Sequence, residues 1–215
     1  MAIALGNQAV NTTSYSTTHT ATLSVSAGDL LVACIARDDG VAISSVAGAT
    51  NGAFTAAVNV GGRAAAIYYL IAGSTVTNEV FTVTTGEATT LSVNISRWSG
   101  AKASGVLDQV NSTTNASSTT GHDHGSITTT GAGLIVTSLG TYAGVAEVGH
   151  ASFTALTNTG YRDYFQYWIT SGAETTNGEL VSVTPAAASD GAIASFLADS
   201  GGSIVPHAMA AYAQQ

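Results

Sequence analysis

The amino-acid sequence predicts an all-β chain: an antiparallel double-sheet sandwich of jelly-roll type, built from two repeated halves. Three observations predict it. Short segments alternate apolar and polar residues with the period of two that turns one strand face toward a core. No stretch carries a sustained helical period, and the Ala-rich residues 207–215 are short for a helix standing alone. A set of motifs also recurs in the same order at an offset of roughly 100 residues.

Taken along the chain, Thr20-Ala21-Thr22-Leu23-Ser24-Val25, Glu79-Val80-Phe81-Thr82-Val83-Thr84 and Glu179-Leu180-Val181-Ser182-Val183-Thr184 alternate strictly and read as half-buried strands. Residues 30–35 and 134–139 are more continuously apolar, the pattern of central strands covered on both faces. Asp39-Gly40 and Asn51-Gly52 are turn dipeptides.

The repeat pairs Ser26-Ala27-Gly28-Asp29-Leu30-Leu31-Val32 with Thr130-Gly131-Ala132-Gly133-Leu134-Ile135-Val136. It pairs Arg63 through Leu70 with Arg162 through Ile169, so that Tyr68-Tyr69 falls on Tyr167-Trp168. Glu79 then matches Glu179, and Ser99-Gly100 matches Ser200-Gly201. This places a sandwich at residues 19–201, with halves at about 19–101 and 123–201. Residues 1–18 are left as an N-terminal arm and residues 202–215 as a C-terminal arm. Each half can close as its own small sandwich, or the two can complete one larger sandwich. The second is expected, because it buries both apolar strand sets in one core.

Composition excludes several functions. Of 215 residues, 45% are hydrophobic and only 8% are charged, against about 25% in an ordinary soluble domain. Ser and Thr supply about a quarter of the chain, so the exterior is hydroxyl-rich. The net charge is -8, and the five cations Arg37, Arg63, Arg97, Lys102 and Arg162 are scattered. No nucleic acid and no anionic membrane is therefore expected as a partner. The single Cys34 excludes an intramolecular disulfide and reads as a small buried hydrophobe. No secretory signal and no apolar run long enough to span a bilayer is expected.

Residues 20–201 resemble a family of tailed-phage and prophage virion surface domains. The resemblance rests on Gly28-Asp29-Leu30-Leu31-Val32, Ile67-Tyr68-Tyr69-Leu70, Arg97-Trp98-Ser99-Gly100, Leu107-Asp108, the second Gly133-Leu134-Ile135-Val136 strand, and the Phe-containing closing strand of residues 193–197. It implies a β-sandwich used as a capsid decoration (cement) protein or as part of a tail fibre. With arms rather than a large extra domain, it implies a decoration protein on the outer capsid surface. Its expected partners are the major capsid protein and itself, as a homotrimer. The arms are the expected clamp, with Ile3, Leu5, Ile204, Val205, Met209 and Tyr212 as anchors.

No catalytic, cofactor or metal residue is expected. Gly-x-Ser-x-Gly is absent, and Gly61-Gly62 lacks the Lys of a phosphate loop. Glu79 and Glu179 are explained by duplication, and Asp38-Asp39 by turn chemistry. In Gly121-His122-Asp123-His124-Gly125 an extended backbone would turn both imidazoles to one face, but two ligands fall short of the usual four. The segment reads as a solvated turn. Tyr161, Tyr164 and Phe165 are extra aromatics of the second half that cannot share one strand face. They are the candidate exposed aromatic surface, which supports the alternative of a carbohydrate-binding module in a tail fibre or adhesin.

Overall fold

The computed structural model describes residues 2–37, 40–59, 64–115, 121–141, 146–158, 163–179, 182–184 and 188–200. The strands of the first half are β1 (Ala4–Val25), β2 (Leu30–Arg37), β3 (Ile43–Gly48), β4 (Gly52–Ala53), β5 (Thr55–Asn59), β6 (Ala65–Ile71) and β7 (Val76–Ser99). Those of the second are β8 (Leu107–Asn115), β9 (Ile127–Thr128), β10 (Gly133–Thr141), β11 (Ala146–Val148), β12 (Thr154–Ala155), β13 (Asp163–Thr170), β14 (Thr175–Thr176), β15 (Ser182–Thr184) and β16 (Ser189–Leu197). Every pairing among them is antiparallel.

Each half contributes one main sheet. The first runs β5-β6-β2-β7-β1, using the part of β7 at residues 91–98; the second runs β12-β13-β10-β16-β8. The two orders are the same, strand for strand. The long β1–β7 ribbon then leaves the main sheet: residues 18–25 of β1 stay paired to residues 76–84 of β7, and β3 joins β7 on its other side. Register shifts between Thr13 and Thr18 mark the corner, as bulges do where a ribbon bends. In the second half the matching outer layer is broken into the two short pairs β9–β14 and β11–β15.

The two main sheets pack face to face as a sandwich. Leu30, Val32, Ile67 and Trp98 of the first meet Leu134, Val136, Phe165 and Phe196 of the second in one buried cluster. Each half also has a core of its own. Leu31, Ile35, Phe81, Val83 and Ile95 fill the first, while Ile127, Ile135 and Ile193 with Phe153 and Trp168 form a smaller one in the second. The expectation of a single shared core is thus corrected: three apolar layers alternate with the sheets. This explains why every residue of β2 and β10 is buried. Burying each large aliphatic there is worth about 1.5–3 kcal/mol.

Pairing fixes the repeat more tightly than the sequence does. Leu30 stands between Ile71 and Trp98; Leu134 stands between Ile169 and Phe196. Tyr69 therefore corresponds to Tyr167, one residue away from the expected alignment. Thr55 opposite Tyr69 then matches Thr154 opposite Tyr167, and Leu5 opposite Trp98 matches Leu107 opposite Phe196. The N-terminal residues expected to form a separate arm are the first limb of β1, the counterpart of β8. The repeating unit begins with β1 and not at residue 19. The tail at residues 202–215 lies outside the described residues.

Across the sandwich the halves exchange equivalent contacts. Trp98 packs on Tyr167 with centroids 4.9 Å apart, and Phe196 packs on Tyr69 at 5.5 Å. Swapping the halves interchanges the two pairs, the mark of an isologous, two-fold-like interface.

Candidate functional site

Each residue singled out in the sequence has a definite place, or lies outside the described residues. Ile3 is 3% exposed and belongs to the core between the main sheets. Leu5 is half-buried against that core, paired with Trp98. Neither side chain projects from a free arm, because β1 hydrogen-bonds to β7 from Ala4 onward. Gly100 makes this close approach possible: its φ is +76°, and a side chain there would overlap the carbonyl of Ala2. Phe165 is fully buried and Tyr164 half-buried, so the pair does not form an exposed aromatic surface. Tyr161, Ile204, Val205, Met209 and Tyr212 lie outside the described residues.

The segment expected as a solvated turn is buried. His122 and His124 are both inaccessible to solvent. The segment lies on the outer face of the second main sheet, where a Cβ on Gly191 would come within 2.7 Å of the Cα of His124. The ring of His122 shares a 2.7 Å hydrogen bond with the hydroxyl of Ser189. Neither ring nitrogen of His124 has a hydrogen-bond partner. Burial pushes its pKa down to about 3; the backbone of Gly178 opposes this, and His122 adds to it. Beside it, Thr137 Oγ1 and Gln166 Oε1 are also buried without partners. No group of three or more His, Cys, Asp or Glu side chains converges for a metal among the described residues.

Other buried polar groups brace the fold. Glu79, 2% exposed, accepts the backbone N–H groups of Thr50 and Asn51 at 2.9 and 2.7 Å and so holds the Asn51-Gly52 turn. Asp190 accepts the backbone N–H of Ala64 at 2.9 Å, tying the second half to the first. Ser138 donates to the carbonyl of Ile35 at 3.0 Å across the same interface. The Asn94 amide donates to Gln8 and to the carbonyl of Thr157. Burial acts to raise the Asp108 pKa, but hydrogen bonds from Thr130, Gln109 and Ser195 outweigh it and hold it below the usual carboxylate value. These carboxylates accept from backbone N–H groups and from the Thr114, Thr130 and Ser195 hydroxyls, and so stabilise loops and strand ends.

Two surface features remain. A groove of about 620 Å³ opens beside the first and last described residues, between Ala2 and Ile3 on one side and Ile169, Leu197 and Ala198 on the other. On the outer face of the second half, His150 meets Phe153 edge-on and Phe153 meets Trp168 at a tilt, with centroids 6.0 and 5.8 Å apart and all three rings partly exposed. Sequence reasoning missed this trio. Its signal was the pair Phe54-Thr55-Ala56 and Phe153-Thr154-Ala155, which recurs at the repeat offset. Comparison with protein-family models, curated proteins and solved structures gives no match.

Proposed function

We propose that the chain is a non-enzymatic structural protein of a phage virion, a capsid decoration protein on the outer capsid surface. In this reading it clamps neighbouring subunits of the major capsid protein and acts as a homotrimer. The supporting observation is the use made of buried polar side chains. Glu79 holds a turn of the first half, and Asp190, Ser138 and Asn94 bond backbone groups across the two halves. That arrangement gives rigidity, the property a clamp needs. The motif resemblance supplies the biological setting.

With Ile3 and Leu5 taken into the sandwich, the capsid contact falls to exposed groups on β1 and β7: Val10, Tyr15 and Val80, at 41, 76 and 43% exposure. The test is purification of virions and quantitation of this chain against the major capsid protein. A fixed stoichiometric ratio, abolished by Tyr15→Asp with Val10→Asp, is expected. Absence from purified particles would overturn the reading. A second reading, a carbohydrate-binding module, is favoured by the partly exposed His150–Phe153–Trp168 trio, since an exposed aromatic face can carry a sugar ring. It predicts glycan affinity that Trp168→Ala removes.

A further inference from the structure

We propose that Asn177 is a site of spontaneous deamidation, converted with time to aspartate and isoaspartate, and that Asn51 is shielded from the same reaction. The chain holds two Asn-Gly pairs, Asn51-Gly52 and Asn177-Gly178, each preceded by Thr. Asn is a thermally labile residue, and a following Gly has no Cβ to crowd an attack on its side chain. In this reaction the Gly nitrogen forms a bond to Asn Cγ. The Cγ–Nδ2 bond breaks, and ammonia leaves with the proton of the Gly nitrogen. Water then opens the cyclic imide. Attack at Cγ gives aspartate; attack at the main-chain carbonyl gives isoaspartate, whose backbone runs through the side chain.

The two pairs differ in what holds them. The Asn51 amide donates to Glu79 Oε2 at 2.5 Å and to the Ser74 carbonyl at 3.2 Å, and its Oδ1 accepts the Ser74 N–H at 2.8 Å. Gly52 lies in β4, paired with Gly48. Asn51 Cγ therefore cannot turn toward the Gly52 nitrogen without breaking a bond to a buried carboxylate. Asn177 is half-buried, just past β14, and its amide nitrogen has no partner among the described residues. Its Oδ1 accepts the Glu179 N–H at 3.2 Å. A donor there favours the negative charge that develops on that oxygen when Cγ is attacked. The Gly178 N–H is held by the neighbouring Thr176 hydroxyl at 3.1 Å rather than by a sheet ladder. Conversion also reaches the core. The Asn177 carbonyl accepts the His124 N–H at 3.1 Å, and the Gly178 carbonyl accepts the Gln166 amide at 2.8 Å. In isoaspartate the first carbonyl becomes a carboxylate outside the main chain, and the link to Gly178 gains a carbon. The two bonds cannot both keep their geometry, so the cover over the second half loosens.

The test is peptide mapping by mass spectrometry of the full chain, aged at mildly alkaline pH and physiological temperature. The guanidinium-unfolded chain is the reference for the intrinsic rate of each pair. Relative to that reference, folding should slow Asn51 about tenfold or more beyond Asn177, the weight of one charge-assisted hydrogen bond that must break. Equal slowing, faster conversion at Asn51, or no conversion at Asn177 would overturn the proposal. Glu79→Ala should raise the Asn51 rate several-fold and leave the Asn177 rate unchanged; an unchanged Asn51 rate in the folded variant would overturn the shielding. The isoaspartate form carries one more negative charge and is collected by anion exchange. It should melt below both the parent and Asn177→Asp, which adds the charge without lengthening the backbone. Melting equal to that of Asn177→Asp would overturn the loosening.

Discussion

His124 makes the chain acid-labile by an amount the structure sets. Its imidazole is fully buried with neither nitrogen paired, and its pKa falls from 6.5 to about 3. The unfolded chain binds a proton near pH 6.5, while the folded chain does not until about pH 3. Between these values the unfolded state holds more protons, so stability drops as pH falls. It is unaffected by this group above pH 6.5 and reaches its full loss near pH 3. Every tenfold weakening of proton affinity on folding is worth about 1.36 kcal/mol, so the full loss is about 5 kcal/mol and the loss by pH 4.5 is about 3 kcal/mol. The assay is urea unfolding at pH 7.5 and pH 4.5, for the parent and for His124→Leu. Carboxylates that titrate in the same window contribute equally to both proteins and cancel in the difference. The parent should lose about 3 kcal/mol more than the variant. Equal losses would show that His124 is not buried as a neutral ring and is not the source of acid lability.

Three further outcomes follow from the packing. Gly140→Ala drives a methyl into the backbone of Ala64 at the junction of the halves, and should cost about 1–3 kcal/mol, read as a lowered Tm. Gly172→Ala, where a Cβ meets nothing, is the control and should leave Tm unchanged. Glu79→Gln replaces charge-assisted bonds to the Asn51-Gly52 turn by neutral ones, and should cost about 1.5–3 kcal/mol in chemical denaturation. Cys34 is sealed in the core between the sheets, and burial pushes its thiol far above the usual range. A thiol reagent should label it only on unfolding; rapid native labelling would contradict that core.

What the sequence made legible was decided by how many faces of a strand are buried. Residues 30–35 and 134–139 are more continuously apolar than the other segments and stand out at once; they lie in β2 and β10, which are buried on both faces. The first limb of β1 has only β7 beside it and exposes much of its length, so Asn7, Gln8 and Asn11 break the alternation and the segment reads as an arm. The register of the aromatic strands was out of reach because Tyr68-Tyr69 resembles Tyr167-Trp168 more closely than Gln166-Tyr167. Only the pairing of Val32 and Val136 with their neighbours resolves it. The buried histidines were misread for a related reason. Gly121-His122-Asp123-His124-Gly125 has the local chemistry of a turn, and what buries it is the sheet of β10 and β16, remote in sequence.

The order in which the strands are made bears on how the chain reaches this state in a cell. β1 is completed only when Ser99 is available to pair with Ala4, after which the whole first main sheet and its own core are present. At that moment Leu30, Val32, Ile67 and Trp98 have no second sheet to cover them. The strand that closes the second sheet is β16, the last of the described strands to be synthesised. At about 5–20 residues per second, the ribosome takes roughly 5–20 s to supply it. For that interval the nascent first half presents an apolar sheet face to the cytosol. A neighbouring nascent chain offers a face of the same shape, so expression yield should depend on polysome density and chaperone supply more than on the stability of the finished fold.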